Sequence, residues 1–166
     1  KEEAFREEYM KSDAYRRHLI EAMNGIGYVL IFIINDINID SILLCLFFSA
    51  LVVLSVIDWR TYEIPIGVNI TILVLGVLRS ALDYHNIVSH LIGFFCVSAF
   101  LLLLILITGG RAMGGGDMKL MAAAGLFLGW RNVTLGFFLG CIIGSIIHLL
   151  LMKFAHKGRQ LAFGPY

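Results

Sequence analysis

The sequence has few charged residues and no pair of cysteines at metal-binding spacing. Asp, Glu, Lys and Arg make up 15% of its 166 residues, against about 25% in soluble domains, and 59% are apolar. Cys45, Cys96 and Cys141 each lie alone in an apolar segment, which argues against a disulfide framework or a zinc ribbon. The polar start of the chain has no early apolar stretch, so no secretory signal is predicted. The net charge of +1 gives no indication of nucleic-acid binding.

Six apolar segments alternate with short polar ones, and most approach the length needed to cross about 30 Å of hydrocarbon. Three of them have fewer than about 18 residues, but their regular alternation favours spanning the bilayer. We therefore predict an all-α fold, a polytopic transmembrane bundle of about six helices. The segments are Leu19–Ile34, Ile42–Ile57, Ile64–Leu82, Ile87–Ile107, Met118–Trp130 and Val133–Met152.

The distribution of basic residues predicts the orientation. If the N-terminus is cytoplasmic, all 13 Lys and Arg residues except Arg79 and Arg131 fall in inside segments, as the positive-inside bias requires. Both termini are then cytoplasmic. The expected organisation is a polar segment over 1–18, a transmembrane domain over 19–152 and a basic tail over 153–166.

Small and polar residues within the apolar segments predict helix contacts. Gly136, Gly140 and Gly144 repeat every four residues, the pattern of a close packing face between membrane helices. His90 and His148 lie inside apolar segments, and a hydrogen bond to a neighbouring helix is the preferred interpretation over a catalytic role.

Two acidic residues are the candidates for chemistry. Asp58 closes the second segment and Asp117 opens the fifth, so both are expected at the cytoplasmic boundary. Alone, Asp117 could be a helix N-cap and Asp58 an interfacial partner of Arg60. The run Gly114–Gly116 before Asp117 favours a functional interpretation, because glycines let a loop bend sharply and approach another group closely.

Two carboxylates that share a site suggest aspartyl hydrolysis, which needs no cofactor and no metal. The ionised group takes a proton from water, while the protonated group polarises the scissile carbonyl, so the pair holds one proton. Helix dipoles favour a negative charge at the start of a helix and disfavour it at the end. On that basis we expect Asp58 to hold the proton and Asp117 to be the base.

These residues resemble a known family. The run Gly114-x-Gly116-Asp117, followed by Lys119, is similar to the GxGD signature of type IV prepilin peptidases, membrane-embedded aspartyl peptidases. The stretch 58–65, which ends in Ile64-Pro65, resembles the segment that carries their first catalytic Asp. Residues 18–25 and 163–165 resemble two further motifs, in the same order along the chain.

The resemblance implies a specific activity. Such enzymes remove the leader from type IV prepilins and type II secretion pseudopilins at the cytoplasmic face of the inner membrane. Asp58 and Asp117 would be catalytic, Gly114, Gly115 and Gly116 would shape an active-site loop, and Lys119 would lie near the pair or anchor the helix to the bilayer. Many members also have paired Cys-x-x-Cys motifs and a methyltransferase activity. This sequence has no such motif, so the peptidase activity is the expectation and the methyltransferase activity stays an open question.

Three alternatives remain open at the level of the sequence. A small transporter could use membrane-boundary Asp residues for cations or protons, but it would favour carboxylates near mid-membrane and two matching halves, and no internal repeat is seen. A catalytically silent assembly protein would have no need of both Asp residues. The other GxGD class cuts within transmembrane segments, and Ile64-Pro65 after Asp58 favours the prepilin branch.

Overall fold

The computed structural model of the protein describes residues 2–61, 64–109 and 114–155. These ranges contain six α-helices and no strand, so the predicted all-α fold and number of helices are confirmed. A short 3-10 turn over Tyr84–Asn86 precedes the fourth helix. The helices are α1 (Glu2–Asn35), α2 (Ile39–Thr61), α3 (Ile66–Leu82), α4 (Ile87–Thr108), α5 (Gly115–Leu128) and α6 (Trp130–Ala155).

Three stretches of the described chain are long and apolar enough to cross a membrane: Ile39–Asp58, Tyr84–Thr108 and Trp130–Ile147. The apolar parts of α1 and α3, Ile20–Asn35 and Ile66–Leu82, are shorter. The remaining helix, α5, has 14 residues. The chain is therefore a helical membrane protein whose six helices differ in length. Most of the predicted tail, residues 156–166, lies outside the described ranges.

The chain divides into two compact units, Lys1–Val52 and Val53–Tyr166. In the first unit, α1 and the beginning of α2 pack through Gly27, whose missing side chain leaves space for the ring of Phe48. The hydroxyl groups of Tyr28 and Ser49 hydrogen-bond beside that contact. These contacts join two helices that are adjacent in sequence.

In the second unit, α5 contacts α3, α4 and α6. Its residues Ala122–Gly125 are small, which lets neighbouring backbones come close. Among the glycines whose surroundings the structure describes, Gly125 and Gly93 of α4 approach most closely, because a Cβ on either would overlap the carbonyl group of the other. This contact, absent from the sequence-based predictions, holds α4 and α5 together.

The predicted glycine face on α6 is wrong at its first position. A Cβ on Gly136 would have no neighbour within 4 Å, and the residue is exposed. Gly140 and Gly144 are buried. Side chains rather than glycines join α4 and α6 near Gly136, through a core that includes Val97, Leu101, Val133 and Phe137.

The contacts also give the directions of the helices. Gly93, near the beginning of α4, meets Gly125, near the end of α5, so these two helices are antiparallel. Ile64, just before α3, meets Gly116 at the beginning of α5, so α3 and α5 run in the same direction. Because residues 62–65 join α2 to α3, the end of α2 and the beginnings of α3 and α5 share one end of this unit.

Candidate functional site

Asp58 lies on the buried face of α2. Only 4% of its surface is exposed, and Leu54, one turn earlier on the same face, is completely buried. The helix continues for three residues beyond Asp58, to Thr61, so the carboxylate belongs to the last turn rather than to the connecting segment. A buried carboxylate in the last turn of a membrane helix is a default candidate for function.

Asp117 lies in the first turn of α5. This helix begins at Gly115, with Gly114 as an extended N-cap residue (φ −79°, ψ 150°) that makes no side-chain capping hydrogen bond. Asp117 is therefore the third helical residue and not the N-cap, and its side chain is half-buried. Asp58 and Asp117 lie at the same end of the second unit, as the sequence predicts.

The glycine run differs from the predicted bent loop. Gly115 and Gly116 are already helical, and the backbone of Gly114 is one that any residue adopts. Only Gly116 makes a close approach: a Cβ on it would lie 3.2 Å from Cβ of Ile64, whereas a Cβ on Gly115 would meet nothing within 4 Å. Gly116 thus allows the first turn of α5 to pack against the segment that follows α2.

Lys119 is exposed on α5. Its charge is not among the causes that set the pKa of Asp117. The side chain of Arg60, the other basic residue that the sequence places next to the pair, is not among those described. A role of Lys119 as an anchor at the bilayer surface and a role near the pair both remain predictions.

The pKa of Asp117 is affected by the charge of Asp58. The pKa of Asp117 is raised to about 6 by two causes, of which burial is the larger and the negative charge of Asp58 the smaller. The two groups are therefore within electrostatic range of each other. The direction of the shift is opposite to the one that the dipole of α5 alone would give, and the predicted division of roles between Asp58 and Asp117 stays a prediction.

Polar side chains at the other end of α5 hold its last turn. His90 of α4, which is buried, donates from Nδ1 to the carbonyl oxygen of Leu126 over 2.8 Å, and this confirms the predicted inter-helix hydrogen bond. Arg79 of α3 donates from Nη1 to the carbonyl oxygen of Phe127 over 3.2 Å. From the sequence, Arg79 is predicted only to be a charge on the outer side of the membrane, because nothing in a single sequence pairs it with a backbone carbonyl.

The described side chains include no group of three or more His, Cys, Asp or Glu residues that could hold a metal ion. At this end of the second unit, Asp58 and Asp117 lie within electrostatic range of each other. The fold and the site together define a class, a helical membrane protein with a pair of coupled carboxyl groups at one end of its bundle.

Comparison with known proteins narrows this class. The model of the type IV leader peptidase family matches residues 45–149, which is more than half of the chain and includes both Asp58 and Asp117. The chain therefore belongs to the type IV leader peptidase family.

Three relatives named prepilin leader peptidase/N-methyltransferase illustrate the likeness. The protein of Aeromonas salmonicida strain A449 is 30% identical over 70% of this chain and 42% of its own length. Those of Dickeya chrysanthemi and Neisseria gonorrhoeae are 28% and 31% identical over 92% and 90% of this chain and 56% and 54% of their own lengths. The chain spans about half the length of the curated relatives it matches. No solved structure matches it.

Proposed function

We propose that this protein is a membrane aspartyl endopeptidase that removes the leader from type IV prepilins or type II secretion pseudopilins. The observation that carries the proposal is the electrostatic coupling of Asp58 to Asp117 at one end of the bundle, in a member of the type IV leader peptidase family. Coupled carboxyl groups that hold one proton between them can perform both halves of acid–base catalysis on a peptide bond.

Asp117 takes the role of the acid in this proposal, which its raised pKa supports, because it binds a proton more readily than an ordinary Asp. Its carboxyl group would donate a hydrogen bond to the scissile carbonyl oxygen, while the carboxylate of Asp58 takes a proton from the attacking water. The tetrahedral intermediate would then collapse as the leaving amine receives a proton from the pair.

The substrate and the location follow from the same proposal. The pair would face the cytoplasm at the inner membrane, where the basic leader of a prepilin meets its apolar helix. The bilayer would hold that helix beside the bundle and present the junction to Asp58 and Asp117. The family gives no support to the alternative of a cation or proton transporter.

Purified protein incubated with a prepilin in detergent or in proteoliposomes tests the proposal. Wild type should release the leader, and both Asp58→Asn and Asp117→Asn should lose cleavage by at least about a thousandfold, because each removes one member of a catalytic pair. Asp36→Asn is the matched control, since Asp36 is an exposed acidic residue that precedes α2.

Each outcome of this assay has a defined meaning. Loss of cleavage in both pair variants, with Asp36→Asn close to wild type, supports the proposal. Full cleavage by either pair variant would contradict the assignment of the pair. A wild-type protein that leaves every prepilin and pseudopilin intact would contradict the proposed activity itself.

A further inference from the structure

The described part of α3 contains a buried amide with an unused hydrogen-bond acceptor. Asn69 is 9% exposed, and its Oδ1 has no hydrogen-bond partner. Its backbone N–H is satisfied, because it donates to the carbonyl oxygen of Pro65 over 3.3 Å. Buried polar atoms without a partner are rare, and leaving one unsatisfied is costly, so this side chain calls for an explanation.

The packing of α3 on α5 gives the level at which Asn69 lies. A Cβ on Gly76 would lie 3.2 Å from the backbone nitrogen of Phe127, near the end of α5. At the other end, a Cβ on Gly116 would lie 3.2 Å from Cβ of Ile64. These two contacts establish that the helices are parallel and which turns of α3 and α5 lie side by side.

Asn69 lies on the face of α3 that packs against α5. It precedes Gly76 by seven residues, which is about two helical turns, so the two residues share one face. The residues of α5 that meet Gly76 lie near the end of that helix. Seven residues earlier, α5 is in its first turns, which are level with Asp117. Asn69 and Asp58 each lie three residues inside the helix end nearest the α2–α3 connection, so their depths match.

We propose that Asn69 binds the main chain of the substrate beside the carboxylate pair, with Oδ1 accepting a hydrogen bond from a peptide N–H next to the cleavage junction. This inference rests on the proposed function and adds a substrate-binding residue to it. The Oδ1 atom of Asn69 has no partner within the protein and can therefore accept a hydrogen bond from a bound substrate.

The chemistry of the junction provides that donor. A peptide bond must be extended to lie across a catalytic pair, and an extended segment has N–H groups that no helix satisfies. At a membrane boundary, where water is scarce, a peptide N–H without a partner is costly. The amide of Asn69 supplies the missing acceptor and would fix the junction in register with the carboxyl groups.

The first test compares Asn69→Leu with Ser80→Ala in the whole protein. Leucine has a similar size and lacks the acceptor, so kcat/KM for prepilin should fall at least about tenfold, while the midpoint of thermal unfolding stays the same or rises. Ser80 is equally buried on α3, but its hydroxyl is satisfied by the carbonyl oxygen of Val77 over 3.0 Å. Ser80→Ala should keep kcat/KM within about twofold of wild type.

The second test probes the substrate and does not depend on the folding of a variant. Prepilin peptides in which an ester replaces one non-scissile peptide bond at a time lack one N–H donor each. With wild type, one ester position near the junction should lower kcat/KM about tenfold, and the same ester should cause no further loss with Asn69→Leu.

The outcomes separate this inference from the proposed function. It is overturned if Asn69→Leu cleaves as wild type does, if its activity and thermal stability fall in parallel, or if the ester and the substitution act additively. If Asn69→Leu does not fold, a flat response of wild type to the ester series overturns the inference and a single sensitive position supports it. A wild type that cleaves no prepilin at all contradicts the proposed function first, and the inference falls with it.

Discussion

The imidazole of His90 in α4 donates a hydrogen bond from Nδ1 to the backbone carbonyl oxygen of Leu126, in the last turn of α5, over 2.8 Å. The last carbonyl groups of a helix have no partner within that helix, so this side chain completes α5 from outside. Arg79 does the same for Phe127 and also stacks on its ring, with 4.8 Å between the guanidinium carbon and the ring centroid. The short helix that carries Asp117 is thus held at its opposite end by α3 and α4.

The first prediction concerns His90. His90→Leu should lower the free energy of unfolding by about 1–3 kcal/mol, because the buried carbonyl group of Leu126 loses its donor. The measurement is thermal or denaturant unfolding in detergent. His85→Leu is the control. Because His85 is exposed, this substitution should lower the free energy of unfolding by no more than about 0.5 kcal/mol. Equal losses in the two variants would contradict the role given to His90.

The second prediction concerns the closest backbone contact. Gly93→Ala or Gly125→Ala should destabilise the protein by about 1–3 kcal/mol or more, because the added methyl group would overlap the facing carbonyl group. Gly136→Ala should be neutral or stabilising by up to about 1 kcal/mol, since alanine is the better helix former and the space around Gly136 is open. If Gly136→Ala is the most harmful of the three in unfolding experiments, the packing described for α4 and α5 is wrong.

The third prediction concerns the first turn of α5. Gly116→Ala should lower the rate of leader removal several-fold, because a Cβ would press on Ile64 at 3.2 Å and move the turn that carries Asp117. Gly67→Ala is matched to it as a first-turn glycine of α3 with nothing within 4 Å. Initial rates of prepilin cleavage by the two purified variants decide the comparison. A rate for Gly116→Ala equal to that of Gly67→Ala would show that the contact with Ile64 has no effect on the pair.

The fourth prediction concerns the titration of Asp117. Asp58→Asn removes the smaller cause of its raised pKa and leaves burial, so the pKa of Asp117 should fall below about 6 but stay above the ordinary value of 3.8. The carboxyl band in difference infrared spectra recorded against pH measures this, and Asp117→Asn identifies the band. Asp36→Asn should leave the titration unchanged. An unchanged pKa in Asp58→Asn would show that the two carboxyl groups are not coupled.

The raised pKa of Asp117 also predicts how the stability of the folded protein changes with pH. In the folded protein the pKa of Asp117, about 6, lies above that of an unfolded chain, about 3.9, so the folded state binds more protons between these values. The contribution of Asp117 to stability is therefore present below about pH 4 and is lost as the pH rises through 6. Relative to wild type, Asp117→Asn should gain stability over that interval in unfolding experiments, and a relative loss would contradict the direction of the shift.

Several features could be predicted from the sequence because they depend on local chemistry. Long apolar segments cross a bilayer as helices, so the helix count needed no knowledge of packing. Asp58 and Asp117 could be assigned to one end of the bundle, because successive helices alternate in direction and the basic residues indicate the orientation. The resemblance around the two Asp residues led to the family that comparison with known proteins confirms.

Other features could not be predicted, because they depend on partners far away in sequence. A repeat of glycines on α6 indicated a packing face, yet the closest approach among the glycines whose surroundings are described joins Gly93 to Gly125, two residues far apart in sequence. The hydrogen bond of Arg79 to α5 depends on the packing of α3 beside α5, which the sequence does not reveal. The unused acceptor of Asn69 is a property of its surroundings, and a single sequence does not contain them.

The sequence by itself determined that this chain forms membrane helices with two carboxyl groups at one end. The reason is that the hydrophobicity and charge of each residue decide whether it is more stable in water or in lipid. Only the tertiary structure decided which helices touch and how Asp117 titrates. The dipole of its own helix favours the charged form of Asp117, whereas burial by neighbouring helices and the charge of Asp58 disfavour it, and these two effects prevail. Burial is produced by atoms from other segments, and for that reason it appears only when the chain is folded.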